Sequence, residues 1–396
     1  MYKSTINMKT KKIMMFSTPK KIGNLEIKNR FVRSATFESL ASDSYVNDKL
    51  INFYKALAEG GVGLIITGAV AVQKNARISE MQMGIFKDDF ISGLKKIANI
   101  AHKYGNECKI SLQLHHAGTQ NFVEKDRVAP SAVYNPFLKK SPREMTLDEI
   151  KETIEAFAQG IRRTKEAGFD AVQLHGGHGW LLSAFLSPYT NIRTDEYGGN
   201  TENRVRIVEE IYKRAIELVG TNFPIMIKYN SDDFMEGGMD LNEGKKIADR
   251  LSKLGFVALE ISGGMWAAVT RSEEELGWKI AMLPESRISI GTVNEPAYNV
   301  PYAKEIKKVV DIPIIAIGGI NSLVLAENIL EEGSADFIAL ARPFIREPNL
   351  PNRWLKGESD AGVKCIYCNT CIGSLSKGIR CVTKEKEERL AKRKAK

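Results

Sequence analysis

The sequence lacks the features of a membrane or secreted protein. Among its 396 residues, no apolar run approaches the ~18 residues that a membrane span needs. Its only N-terminal apolar patch, MMF at 14–16, is too short for the core of a signal peptide. We therefore expect a cytoplasmic protein with no membrane partner.

The body of the chain lacks an excess of basic over acidic residues, although the net charge is +9. Residues 1–21 hold six lysines and no acid, and residues 376–396 hold nine Lys or Arg against three Glu. The excess charge therefore lies in two tails. Because a nucleic-acid surface needs basic residues grouped on a folded face, the sequence predicts no nucleic-acid partner.

Cysteines are few, and four of the five lie close together: Cys365, Cys368, Cys371 and Cys381, spaced C-x2-C-x2-C-x9-C. In a long chain without a signal peptide, such a group indicates metal or redox chemistry more than a disulfide framework. Four thiolates fit an iron–sulfur cluster or a tetrahedral zinc ion, and a reduced set without metal is the third interpretation.

Eight short β-branched runs alternate with amphipathic stretches of a dozen or so residues. Continuous apolar runs are typical of strands buried on both faces, and helical crossovers join parallel strands. The pattern predicts an α/β fold, a (β/α)8 TIM barrel. An open doubly wound sheet would need a glycine-rich loop after its first strand, and FESLAS has none. The runs are FVRSAT (31–36), GVGLIITGA (61–69), CKISLQLHH (108–116), DAVQLHG (170–176), PIMIKYN (224–230), FVALEIS (256–262), PIIAIGGI (313–320) and ADFIALAR (335–342).

Two segments decorate the predicted barrel. KKIGNLEIKN (20–29) predicts a hairpin that closes the bottom of the barrel, and residues 117–146 predict a long loop insertion after the third strand. We divide the chain into a basic N-terminal extension (1–16), the barrel (17–350) and a tail that carries the cysteines and a Lys-rich end (351–396).

Polar and small residues at the carboxyl ends of barrel strands are the candidate functional residues. Acidic residues are scarce among them, which disfavours a hydrolytic metal site. The last two strand ends are where TIM barrels commonly bind phosphate. In chain order the candidates are Ala35, Thr36, Gly68, Ala69, Gln113, His175, His178, Lys228, Gly318, Gly319, Ala341 and Arg342.

Longer motifs carry a specific resemblance. NRFVRSATFES, GLIITGAVAV, LQLHHAG, HGGHGWLLSAFLSPYTNIRTDEYGGNTENR and ALARPFIREP follow one another with the order and spacing of the old yellow enzyme family. Over residues 17–350 the chain resembles the branch that includes bacterial 2,4-dienoyl-CoA reductases. The resemblance implies an FMN-dependent enzyme that NAD(P)H reduces and that acts on a small molecule.

The resemblance also implies a role for each candidate. Residues 35, 36, 68 and 69 would face the flavin, Gln113 would bind its pyrimidine ring, and the residues of the last two strand ends would hold its phosphate. Lys228 stands where the family usually has Arg, and its charge would stabilise the reduced flavin. His175 and His178 would bind the carbonyl oxygen of a substrate and not a metal ion.

The implied reaction is the reduction of an activated C=C bond in an enone, enoate or enoyl thioester. Trp180, however, stands where the family usually has a tyrosine proton donor, and an indole N–H is not an acid near neutral pH. The departure leaves open a dehydrogenase, demethylase or NADH oxidase on the same scaffold, or a non-enzymatic electron-transfer protein.

The cysteine spacing is a second departure, because the multidomain relatives have C-x2-C-x3-C-x11-C for a [4Fe–4S] cluster. The FAD- and NADPH-binding half of those relatives does not follow in this sequence. We therefore expect a cluster here to take electrons from a separate protein. The sequence does not decide the substrate, the choice of NADH or NADPH, or whether the chain forms a homo-oligomer.

Overall fold

The eight predicted strands form a closed parallel barrel in which each strand pairs with its neighbours in chain order. A computed structural model describes residues 14–280, 283–357 and 362–395. The predicted TIM barrel is confirmed, with the strands shorter than most of the runs. The strands are β1 (Phe31–Arg33), β2 (Leu64–Ala71), β3 (Lys109–His115), β4 (Ala171–Gly176), β5 (Ile225–Asn230), β6 (Leu259–Ser262), β7 (Ile314–Ala316) and β8 (Phe337–Leu340).

Helices surround the barrel. The longest begins with a capping box between Thr146 and Glu149 and buries an apolar stripe at 150, 154, 157 and 161, the spacing of one helix face. The helices of the described residues are α1 (Asp48–Glu59), α2 (Ile91–Tyr104), α3 (Leu147–Glu166), α4 (Leu181–Leu186), α5 (Thr201–Val219), α6 (Leu241–Leu254), α7 (Glu273–Leu276), α8 (Val300–Lys307), α9 (Leu323–Glu331), α10 (Arg342–Arg346), α11 (Leu350–Leu355) and α12 (Val382–Lys394).

The predicted hairpin closes the amino-terminal end of the barrel. Strands Lys20–Ile22 and Leu25–Ile27 pair antiparallel, as the turn at Gly23 and Asn24 predicts. Ile22 and Ile27 are fully buried against the inward-facing residues of the barrel strands. The open end, where the strands finish, is therefore the one left for a site.

The tail lies across that open end. The Tyr367 hydroxyl donates to the carbonyl of Ile320 at 2.8 Å, and the Ile379 N–H donates to the carbonyl of Glu38 at 2.8 Å. The sequence predicted that the barrel domain ends at residue 350. Helix α11 continues past that residue, and its Trp354 packs on Phe31 in the core with ring centroids 5.5 Å apart. Most of the predicted N-terminal extension, residues 1–13, lies outside the described residues.

The insertion of 117–146 contains a small parallel ladder between Val128–Ala129 and Arg143–Glu144. In the described part of the chain, no helix is long and apolar enough to cross a membrane.

Candidate active site

A cavity of about 400 Å³ opens at the carboxyl ends of the strands. Its volume is in the range of small-molecule and cofactor sites. The candidates from the sequence that line it are Ala35, Thr36, Ala69, Gln113, His175, His178, Trp180, Lys228, Gly318, Gly319, Ala341 and Arg342. All of the sequence candidates for the flavin and substrate site except Gly68 therefore line one cavity.

Gly68 corrects one prediction, because it does not line this cavity. Its N–H donates to Glu38 Oε1 at 2.7 Å. A Cβ added at Gly68 would lie 2.0 Å from Glu38 Oε2. The glycine therefore makes room for a buried carboxylate behind the wall, which leaves no free backbone donor for a cofactor at this residue.

The floor of the cavity is a chain of buried polar side chains. Strand register pairs Gln113 with Gln173 and Lys228 with Glu260. Gln113 Nε2 donates to Gln173 Oε1 at 2.7 Å, and Gln173 Nε2 donates to Glu260 Oε2 at 2.8 Å. Lys228 Nζ lies 3.3 Å from Glu260 Oε1. Glu260 and Gln173 were not predicted; a charged residue inside the apolar run FVALEIS was the signal for Glu260.

The two histidines are neutral. Burial lowers the pKa of His175 and of His178 well below the usual value, and the positive charge of Lys228 lowers both further. Nδ1 of His175 accepts a long, 3.4 Å hydrogen bond from the Gly177 N–H, which leaves its Nε2–H free to donate. Nε2 of His178 lies 2.8 Å from Ser262 Oγ. When Nε2 of His178 accepts from the Ser262 hydroxyl, its Nδ1–H is left to donate, so both rings can donate to a ligand oxygen without being charged.

The backbone at His178 has φ +62°, which is unusual for a residue other than glycine. Its N–H donates to Asn230 Oδ1 at 3.0 Å, and this bond helps to hold the strained backbone. The ring of His178 meets that of His175 edge to face, with centroids 5.1 Å apart. The two imidazoles are therefore held as one unit above the cavity floor.

His115 is a third histidine of the cavity that the sequence analysis did not select. Its Nδ1 accepts from Gln82 Nε2 at 3.3 Å, and burial lowers its pKa well below the usual value. Side chains alternate along a strand, so Gln113 pointing inward implies that His115 does so as well. That alternation was the missed signal.

No tyrosine hydroxyl is free to replace the expected proton donor among the described residues of the cavity wall. Tyr298 donates to the carbonyl of Glu285 at 3.1 Å, and Tyr367 is bonded to Ile320. Tyr229 donates to the carbonyl of Gly244, away from the cavity. Glu285 does line the cavity, and burial raises the pKa of its carboxyl to about 7.

The ends of β7 and β8 form a tight rim. Gly318 and Gly319 have φ of +113° and +68°, and a Cβ on Gly319 would lie 2.9 Å from the Tyr298 ring. Only glycine suits these positions. Arg342 is held at the rim, where its Nη1 donates to Asn369 Oδ1 at 2.6 Å.

The four tail cysteines line a second, smaller cavity next to Arg342, and Cys371 also lines the first one. Burial raises the pKa of the Cys365 thiol to about 11. The structure therefore brings the four thiols together. In the described part of the chain, however, no group of three His, Cys, Asp or Glu side chains is placed to hold a metal ion. The cluster and the zinc site stay predictions.

The closed parallel barrel, with its cavity at the carboxyl ends of the strands, is a TIM barrel of the old yellow enzyme type. The chain belongs to the NADH:flavin oxidoreductase / NADH oxidase family, whose model matches residues 15–360.

Two relatives and one solved structure show the range of the similarity. The chain is 40% identical over 360 residues to a NADH oxidase of Thermoanaerobacter brockii, covering 89% of this chain and 52% of that protein. It is 37% identical over 342 residues to a NADPH dehydrogenase of Geobacillus sp. (strain WCH70), covering 85% and 92%.

The structure is similar to a 2-naphthoyl-CoA reductase in complex with 2-naphthoyl-CoA, with a TM-score of 0.80 and 27% identity, covering 88% of this chain and 53% of that one. The chain spans about half the length of this reductase and of the NADH oxidase.

Proposed function

We propose that the protein is an FMN-dependent NAD(P)H oxidoreductase that reduces an activated C=C bond in an enone, enoate or enoyl thioester. Bound FMN, reduced by NAD(P)H, supplies the hydride. The observation that carries the proposal is the pair of neutral imidazoles, His175 and His178, facing the same cavity as Gln113 and Lys228.

The cavity fits FMN on two observations. Gln113 Oε1 is left as an acceptor by the amide chain on the floor and suits an imide N–H of the flavin ring. Arg342 lines the cavity at the same rim as Gly318 and Gly319, and its guanidinium suits a phosphate. Gln113 and Lys228 would hold the pyrimidine end, and Gly319, Ala341 and Arg342 would hold the phosphate. The backbones of Ala35, Thr36 and Ala69 would contact the ring.

The protein's own groups act on the substrate oxygen. His175 and His178 donate hydrogen bonds to a carbonyl, which withdraws electron density from the β-carbon and stabilises the negative charge that develops on the oxygen. Because both imidazoles are neutral, they act on this oxygen as hydrogen-bond donors and not as counter-ions. Trp180 bounds the space beside them, and we assign the final protonation to water.

A second candidate is an NADH oxidase that passes hydride equivalents to dioxygen. The observation that favours it is Trp180, since no carbon has to be protonated in that reaction. The name of the Thermoanaerobacter brockii relative points the same way. The cysteine cavity supports a further proposal, that a separate protein delivers electrons to a cluster held by Cys365, Cys368, Cys371 and Cys381.

Purified protein separates these proposals. We expect a yellow holoenzyme with one non-covalent FMN per chain, released by heat and identified by chromatography. Anaerobic NADH or NADPH consumption with a panel of enones, enoates and enoyl thioesters tests C=C reduction, and the same assay in air without an alkene tests the oxidase. A colourless protein that does not bind added FMN would overturn the whole proposal.

A further inference from the structure

Glu260 is buried deep in the barrel and faces three hydrogen-bond donors. Ser34 Oγ donates to its Oε1 at 2.5 Å, Gln173 Nε2 donates to its Oε2 at 2.8 Å, and the Lys228 ammonium lies 3.3 Å away. The residue is 0% exposed and does not line the cavity. It therefore acts on a ligand only through these neighbours.

The first neighbour is Lys228, whose charge the sequence analysis treated as free. The ammonium is buried, donates to Ser34 Oγ at 3.1 Å and is paired with the Glu260 carboxylate. Opposite charges at this distance in a buried site offset each other strongly. Lys228 thus presents a fixed N–H donor to the cavity as part of an ion pair that carries no net charge.

The second neighbour starts a chain of amides with one direction. An ionised carboxylate only accepts, so the NH2 group of Gln173 must face Glu260 and its oxygen must face Gln113. Gln113 in turn directs an N–H to Gln173 at 2.7 Å, and its Oε1 remains as an acceptor. Glu260 thereby removes the usual freedom of these two amides to exchange oxygen and nitrogen.

We propose that Glu260 is the positioning residue of the cofactor's pyrimidine end, offsetting the charge of Lys228 and fixing the acceptor oxygen of Gln113. The inference rests on the proposed FMN site. Because Lys228 is paired with Glu260, it stabilises the negative charge of reduced FMN less than an unpaired lysine would. Glu260 therefore lowers the FMN midpoint potential. Oxidised FMN binding also depends on Gln173, which does not line the cavity.

The test of the charge effect is Glu260→Gln, which keeps the shape and removes the charge. We expect the FMN midpoint potential to rise because unpaired Lys228 then stabilises reduced FMN. A tenfold gain in the ratio of reduced to oxidised FMN affinity corresponds to ~30 mV for a two-electron couple. The rise should disappear when Lys228→Met is added, because the double variant has no cation to release.

Asp336→Asn is the matched control. Asp336 is also buried and ion-paired, with Lys20 and Lys307, but it precedes β8 at the hairpin end of the barrel. This variant should leave the potential unchanged. Three results would each contradict the charge effect. They are an equal rise in the potential of Asp336→Asn, an unchanged potential in Glu260→Gln, and a rise that persists when Lys228→Met is added.

Gln173→Met tests the amide chain and keeps both charges, so it remains informative if Glu260→Gln does not fold. We expect oxidised FMN to bind about 2- to 10-fold more weakly, the effect of one misdirected neutral hydrogen bond, with an unchanged potential. Wild-type affinity would overturn the positioning of Gln113. If the wild-type protein binds FMN but the variants behave like the wild type, only the inference about Glu260 is refuted. If the wild-type protein does not bind FMN, the proposed function is refuted.

Discussion

The indole of Trp180 stands edge to face against the imidazole of His115, with ring centroids 4.6 Å apart, and lies 6.2 Å from the ring of His175. Trp180 therefore packs on His115 of β3 and lies next to the His175–His178 pair that would bind a substrate oxygen. It fills the volume next to that pair but has no acidic proton to give. We therefore propose a steric role for Trp180.

Trp180→Tyr should restore an acid at this position. We expect the oxidative half-reaction with simple enones to become faster, up to the roughly 10²–10⁴-fold that general acid catalysis contributes. The reductive half-reaction should stay within a few-fold, because NAD(P)H oxidation needs no such acid. Stopped-flow absorbance follows both. Trp180→Phe is the control without an acid; if both variants reduce enones more slowly than the wild type, the indole N–H contacts the substrate and the steric account is wrong.

Replacing both His175 and His178 by Ala should abolish the binding of phenols without loss of FMN. Each hydrogen bond to a phenolate oxygen in a buried site is worth about 1.5–3 kcal/mol. The measurement is a titration of the long-wavelength charge-transfer absorbance. His102→Ala serves as the control, since His102 pairs with Asp170 on the outer surface. Unchanged absorbance bands in the double variant would contradict the role of the pair.

Stability should fall on acidification because of buried histidines. Burial lowers the pKa of His116 to about 3, whereas the unfolded chain has the ordinary value near 6.5. Between these pH values only the unfolded state binds the proton, so this histidine lowers the free energy of unfolding as the pH falls. The loss attributable to His116 between pH 6 and 5 is roughly 1 kcal/mol.

His116→Asn isolates that contribution. The Asn oxygen can replace Nδ1 as acceptor for the Gly118 N–H, now at 3.0 Å, and Asn does not titrate. Urea unfolding of the holoenzyme at pH 7, 6 and 5 should show a smaller loss for the variant. Equal pH slopes for the two proteins would show that His116 titrates normally in the fold.

Anaerobically purified protein should contain about four iron atoms per chain if the tail holds a [4Fe–4S] cluster. Cys371→Ser should lose this iron, while Cys108→Ala, which removes a buried thiol far from the tail, should keep it. Metal analysis gives the answer directly. One zinc and no iron would select the zinc alternative, and neither metal would leave a reduced thiol tail.

Local pattern was enough to predict the strands, the hairpin and the polar groups at the strand ends that line the cavity. Inward-facing polar residues at the ends of apolar runs, such as Gln113 and Lys228, must meet when the runs close into a barrel. The histidine pair was also readable, because His175 and His178 belong to one strand end and its loop. These features depend on residues near one another in the chain.

The tertiary structure alone decided which of these groups touch. Glu260 forms an ion pair with Lys228, and Glu38 accepts from the N–H of Gly68, because the stagger of neighbouring strands sets the height of each side chain. The alternation of side chains along a strand shows which face of the sheet a residue occupies. It does not show how far along the barrel axis that residue lies relative to residues of the neighbouring strands. The sequence by itself therefore determined the barrel and its candidate groups. Strand register and barrel closure determined the partners of those groups, the direction of their hydrogen bonds and the burial that keeps the histidines neutral.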